Sequence, residues 1–148
     1  MIRKLLVIAG ILMLGANAAV AQSCQDAITT RQNLMKASGA AGKTASEMIR
    51  GTTPFDLTKA QQVLAAFAND ASHMPTMFPD CSKTGDHTTA APAIWDKPAE
   101  FKAMIEKFTA DVKGAQQNTK DLDTFKANMQ TIGKDCGSCH QNFRVRPS

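Results

Sequence analysis

The feature that most restricts the fold of this chain is one apolar stripe near its C-terminal end. Leu122, Phe125, Met129, Ile132, Cys136, Cys139 and Phe143 recur at spacings of three and four, the period of one α-helical face. Two cysteines are thus built into the face that a helix turns toward a core. The local run is Cys136-Gly137-Ser138-Cys139-His140, and Cys-x-x-Cys-His is the signature of covalent c-type haem attachment. Thiols one helical turn apart add across two vinyl groups, and the imidazole directly after the second cysteine can bind the iron. A thioredoxin-like redox pair would follow a strand in a βαβ setting, and no strand pattern precedes this one. A structural zinc site would need a second ligand pair at finger-like spacing, which the sequence lacks.

Other stripes have the same period. Leu57, Ala60, Leu64, Phe67, Ala71 and Met74 form one, and Phe101, Met104, Ile105, Phe108 and Val112 another. A weaker stripe, Ile28, Met35, Ser38, Gly42, Ala45 and Ile49, runs through a helix from about Cys24 to Arg50. Its small inward residues leave room for a flat group or allow close helix approach. Breaks separate the helices. Gly51-Thr52-Thr53-Pro54 ends the first, and Asp56 is the predicted N-cap of the second. Met74-Pro75 and Phe78-Pro79 end the second and open a long connection to Pro92. Asp96, two residues before Pro98, predicts the start of the third, with Trp95 packed beside it. A short Asn118–Asp121 link leads to the fourth. The expected fold is all-α, an antiparallel up-down-up-down four-helix bundle with its haem motif at the C-terminal end.

The N-terminal residues predict export. Arg3 and Lys4 precede an apolar run from Leu5 to Leu14, and Ala19-Val20-Ala21 has the form of a cleavage site. The run is too short to span a bilayer. Residues 1–21 therefore read as a cleaved signal peptide and 22–148 as one haem domain, with no stable membrane insertion of the mature chain. That suits haem attachment on the periplasmic side in Gram-negative bacteria. Cleavage removes Arg3 and Lys4 and no acidic residue, so the formal charge falls from +4 to +2. No basic stripe with interleaved aromatics points to nucleic acid. Beyond the haem motif, Cys24 and Cys81 remain. In an oxidising compartment such a pair reads as a disulfide, and antiparallel topology brings both to one pole; two free thiols are the other reading. His73 and His87 read as surface residues.

The mature chain resembles the class II c-type cytochromes, the cytochrome c′ family, along essentially its whole length. The marks are Cys136-x-x-Cys139-His140-x-x-Phe143-Arg144, the Phe78-Pro79 turn, Ala91-Pro92-Ala93-Ile94-Trp95, and Arg31-x-x-Leu34-Met35-Lys36 in the first helix. Class I cytochromes c carry the haem motif near the N-terminus instead. The resemblance implies one haem c, covalent through Cys136 and Cys139, with His140 on the iron. Spacing alone does not single out Met35, because Met74, Met104 and Met129 also face inward. The resemblance does: Arg31 plus four is the place where the low-spin cytochrome c-556 subgroup carries a methionine ligand. It also implies that Arg31 lies near a haem propionate and Arg144 near the proximal pocket. The Cys24 and Cys81 pair departs from the general family pattern.

The expected function is a periplasmic electron-transfer cytochrome with His140 and Met35 on the iron, no catalytic residues, and redox proteins as partners. The alternative is a five-coordinate, high-spin cytochrome c′ that binds nitric oxide or carbon monoxide. A bundle that binds only copper or zinc leaves the Cys-x-x-Cys-His register unexplained. Such cytochromes pair as homodimers through first-helix faces or stay monomeric, and no apolar patch in the sequence chooses between these.

Overall fold

The computed structural model describes residues 2–85 and 87–145, with side chains from Cys24 onward. The expected leader, residues 1–21, lies outside the residues whose side chains are described. The long helices are α1 (Ile2–Arg50), α2 (Leu57–His73), α4 (Pro98–Asn118) and α5 (Leu122–Phe143), with a single-turn helix α3 (Ala93–Asp96) before α4. Among the described residues there is no strand and no helix long and apolar enough to cross a membrane.

Local chemistry sets most of the boundaries. Gly51, at φ 74°, ends α1: its N–H donates to Met48 O at 3.2 Å and that of Thr52 to Glu47 O at 3.0 Å. This double closure needs a left-handed residue, which glycine supplies without a Cβ clash. Asp56 caps α2 as expected, accepting the Lys59 N–H at 2.8 Å. Asp121 caps α5 within a capping box completed by Thr124. One boundary differs from expectation. Lys97, not Asp96, is the N-cap of α4 and makes no side-chain cap bond, while Asp96 closes α3. The Pro98 ring disfavours helical backbone at the residue before it, so the break falls on Lys97 (φ −129°, ψ 56°). The α2 stripe also overreaches at both ends. Leu57 is 43% exposed, and Met74 opens a short 3-10 turn, Met74–Thr76.

The long helices pack in sequence, α1 on α2, α2 on α4 and α4 on α5, and α1 meets α5 more lightly than any of these. The bundle is therefore closed on three seams and open on the fourth. Its core has two parts. The larger holds Met48, Leu64, Phe67, Val112, Phe125 and Ile132, and the smaller holds Ile94, Phe101, Ile105 and Phe143. Cys136 packs against the first and Cys139 against the second.

The connection from Met74 to Pro92 is tied down along its length. Cys24 and Cys81 form a disulfide, Cα atoms 5.6 Å apart, between α1 and a 3-10 turn (Asp80–Lys83). Gly85, at φ 153°, passes so close to Ile28 that a Cβ there would collide with the isoleucine side chain. Further on, Ala91 N–H donates to Phe143 O at 3.0 Å and Val145 N–H to Thr89 O at 2.9 Å. These bonds form an isolated bridge that clamps the end of α5 to the connection.

The disulfide closes a loop with a sequence separation of 57, worth about 4 kcal/mol in the chain-entropy model. The variant C24S/C81S is expected to unfold at a clearly lower urea concentration than the parent holoprotein. Equal midpoints in paired denaturation curves would show that the bridge adds nothing.

Candidate functional site

The open seam between α1 and α5 is a cavity of about 630 Å³, within the range of small-ligand and cofactor sites. On the α1 side it is lined by Met35, Ser38, Gly39 and Gly42. A Cβ built on either glycine meets nothing within 4 Å. The small residues of α1 therefore border space rather than a closely packed neighbour, which decides between the two readings left open above.

Opposite, α5 supplies Cys136, Cys139 and His140. Both cysteines are half-buried and unpaired. Burial is the main cause that raises the Cys136 thiol above its ordinary range, and Asp70 and Asp135 add to it. The Cys139 thiol is pushed up to about 11, first by burial and then by Cys136 and Asp70. At neutral pH both are held as thiols, which protects them from the oxidation that thiolates undergo. His140 lies at the exposed rim of the cavity. Partial desolvation, and then the Arg144 charge, lower its imidazole pKa. The neutral ring so favoured is the form that ligates a metal.

Arg31 is 7% exposed. Its Nη1 donates to Ser82 Oγ at 2.8 Å and to Met77 O at 3.2 Å, and its Nη2 donates to Thr88 Oγ1 at 2.6 Å and to Ser82 O at 3.1 Å. The guanidinium also stands over the Phe78 ring, 5.1 Å from its centroid. Every acceptor is neutral, no carboxylate pairs with it among the described residues, and desolvation lowers its pKa. Phe78 continues an edge-to-face series through Phe101 (4.9 Å) to Phe143 (5.1 Å), and Trp95 Nε1 donates to Phe78 O at 3.1 Å. Arg144 is exposed, lines the same cavity, and carries the backbone bridge that ends α5. All six residues singled out in the sequence thus border one space: Arg31, Met35, Cys136, Cys139, His140 and Arg144.

Two lining residues were not foreseen. Asp70 of α2 is 3% exposed, with Oδ2 accepting from Ser38 Oγ at 2.9 Å. Asp135 of α5 accepts from Lys107 Nζ at 2.5 Å. The signal for Asp70 was present: three residues after Phe67, it puts a carboxylate on the inward face of α2. His73 and His87 are exposed, as expected; His73 Nδ1 is 2.7 Å from Asn69 O, and His87 O accepts from Gln32.

A sequence model described as cytochrome C′ matches residues 26–144. The chain belongs to the cytochrome c′ family. Two relatives from Rhodopseudomonas palustris are almost equally similar. A cytochrome c′ is 39% identical, with 98% of each chain covered. A cytochrome c-556 is 37% identical, covering 95% of this chain and 96% of the relative. Among solved structures, a cytochrome c′ from R. palustris superposes with a TM-score of 0.79 at 38% identity, over 83% of this chain and 98% of that one. A structural model of oxidised R. palustris cytochrome c556 superposes with a TM-score of 0.75 at 35% identity, over 84% and 99%.

The cofactor of this cytochrome is haem c, and the chain is an electron-carrying haem protein. The site fits that group. Paired thiols and an imidazole face a largely apolar cavity bounded by glycines without steric cover, and a buried arginine on its wall has no carboxylate partner among the described residues. Removing that arginine would strand four acceptors from the 77–88 segment. Arg31→Met is expected to cost about 2–4 kcal/mol of stability, with Arg31→Lys intermediate. Denaturant titration checks the magnitude, and faster amide exchange confined first to residues 77–88 would locate the loss.

Proposed function

We propose that this cytochrome is a periplasmic one-electron carrier, not an enzyme, whose haem iron is held between His140 and Met35. The observation that carries the reading is that the Met35 and His140 side chains border one cavity from different helices, α1 and α5, with both cysteines on the same wall. When bound, the haem supplies a ferric/ferrous couple. Cys136 and Cys139 anchor it covalently. His140 contributes a neutral imidazole, and Met35 a soft, neutral thioether, a pairing that favours the reduced state and suits electron transfer. Phe67, Phe108 and Ile132 exclude water from the site. Arg31 directs positive charge toward the anionic edge of the cofactor, and Arg144 does so from the rim. His140 and Met35 would together hold the iron and so leave it no place for a substrate. Export rests on the leader pattern in residues 1–21, and the partners are redox proteins of the same compartment.

Optical spectra of the purified ferric and ferrous holoprotein, with and without carbon monoxide, test the ligation. The expected parent spectrum is low-spin and barely altered by carbon monoxide. Met35→Ala is expected to turn it high-spin and open it to the gas, while Met74→Ala, on the same cavity wall, leaves it low-spin. A parent protein that is already high-spin and binds carbon monoxide readily would overturn the Met35 assignment in favour of a gas-binding cytochrome c′.

A further inference from the structure

Asp70 has no evident structural reason to be charged. Its side chain is almost wholly buried in the cavity wall, and only Oδ2 is satisfied, by Ser38. Oδ1 is buried and has no hydrogen-bond partner among the described residues. Asp135, on α5, offers a contrast in the same cavity. Its Oδ2 is likewise unpartnered, but its charge is met by Lys107 at 2.5 Å. Among the described residues no such cation contacts Asp70. A buried carboxylate in this position is costly as an anion, and either a proton or nearby positive charge relieves the cost. Haem iron in this cavity carries one unit more positive charge when ferric than when ferrous. The two forms of relief are therefore exchangeable.

We propose that Asp70 couples electron uptake to proton uptake: it stays a carboxylate opposite ferric haem and becomes a carboxylic acid when the haem is reduced. Asp70 takes one proton from solvent water and forms one O–H bond at Oδ1 as one electron arrives from a protein donor. On oxidation, the proton returns to solvent as the electron passes to an acceptor. Ser38 leaves Oδ1 as the open position, because its hydroxyl already occupies Oδ2. Burial raises the proton affinity of Asp70, and Ser38 and His73 partly oppose it.

The protein groups that could titrate in its place, among the described residues, are few. On α2 itself the neighbour is His73, exposed and engaged with Asn69 O. From α1, the cavity receives Ser38 and, farther along the helix, Arg31 and Lys36. From α5 come Asp135, already paired, the two cysteines, and His140 with Arg144 at the rim. The residues that α4 contributes, among them Met104 and Phe108, carry no charge, and among the described residues the preceding connection adds His87. The proposal rests on one-electron carriage at the haem and holds whichever group faces His140.

The test is the reduction potential of the holoprotein by spectroelectrochemistry, from about pH 4 to about pH 9, a span that covers ordinary and raised carboxyl pKa values. Reduction raises the proton affinity of Asp70, so the potential falls as pH rises between its values in the oxidised and reduced states. Within that window each pH unit shifts the balance tenfold toward the oxidised form, about 59 mV for one electron. Asp70→Asn is expected to abolish this slope and to hold the potential near the parent's acid plateau. Ser38→Ala, which removes one hydrogen bond to the anion, moves the window to higher pH and serves if the asparagine variant fails to fold. His73→Gln retains the slope. A slope that persists unchanged in Asp70→Asn, or that stays in place in Ser38→Ala, would overturn the proposal. So would a parent potential flat across the range. Spectra recorded in the same cell report the axial ligation separately, so a failure of the Met35 assignment is distinguishable.

Discussion

The whole site depends on α1 not closing onto α5. Apolar faces left to themselves collapse to crystal-like density, and the other three seams of this bundle have done so. The fourth is held open by a combination of subtraction and fixture. Subtraction comes from Ser38, Gly39 and Gly42, which remove the side chains that would fill the seam from α1. Fixture comes from the ends: the Cys24–Cys81 disulfide, and the bridge that clamps residues 89–91 to the end of α5. An empty apolar slot of this size would be unfavourable alone, because its walls lose their contacts without gaining water's hydrogen bonds. Covalent attachment of a flat apolar cofactor answers that cost directly. The thiols that attach it lie where the two core clusters meet, so the cofactor completes the core as well as the chemistry.

Arg31 links that slot to the connection between the second and third long helices. Among the described residues its guanidinium binds neutral acceptors, all from residues 77–88, and its cation lies over Phe78, which leads edge-to-face to Phe101 and Phe143. A buried charge without a counter-charge is retained only where the surrounding dipoles are numerous and well aimed. Four hydrogen bonds meet that condition for folding. Among the described residues no carboxylate neutralises the Arg31 charge. One residue thereby ties the 77–88 segment to the first helix at the wall of the cavity.

How much of this could be read from the chain alone depended on sequence distance. Asp56 and Asp121 cap helices through groups three residues away, and both were legible. So was the haem motif, whose three groups lie within five residues. The disulfide needed only the antiparallel topology. Lys97 was misread because aspartate is the better cap by side chain, yet the Pro98 ring acts on the backbone of its neighbour and outranks it. The Arg31 acceptors lie 46 to 57 residues away, in a segment without periodicity, and no local pattern announces them. Asp70 was passed over for another reason. It follows the apolar period of α2, and a polar residue in such a stripe looks like an interruption until its surroundings are known.

Met35 and Asp70 show two ways in which the same cavity can hold functional information. Methionine is common on inward faces, and Met74, Met77, Met104 and Met129 border the site as well. A stripe can therefore show that a thioether is inside without showing which one meets the iron. Similarity to a cytochrome c′ and to a cytochrome c-556 is nearly equal, at 39% and 37% identity. A buried carboxylate has no such background of interchangeable neighbours. Core packing gains nothing from it, and its desolvation works against folding. Its position opposite the paired thiols is thus better explained by charge than by shape. Among the described residues, the cavity is bordered by Arg31, fixed by neutral dipoles, and by Asp70, an acid with an open oxygen and no cation beside it, while the charge of the site itself changes with each electron.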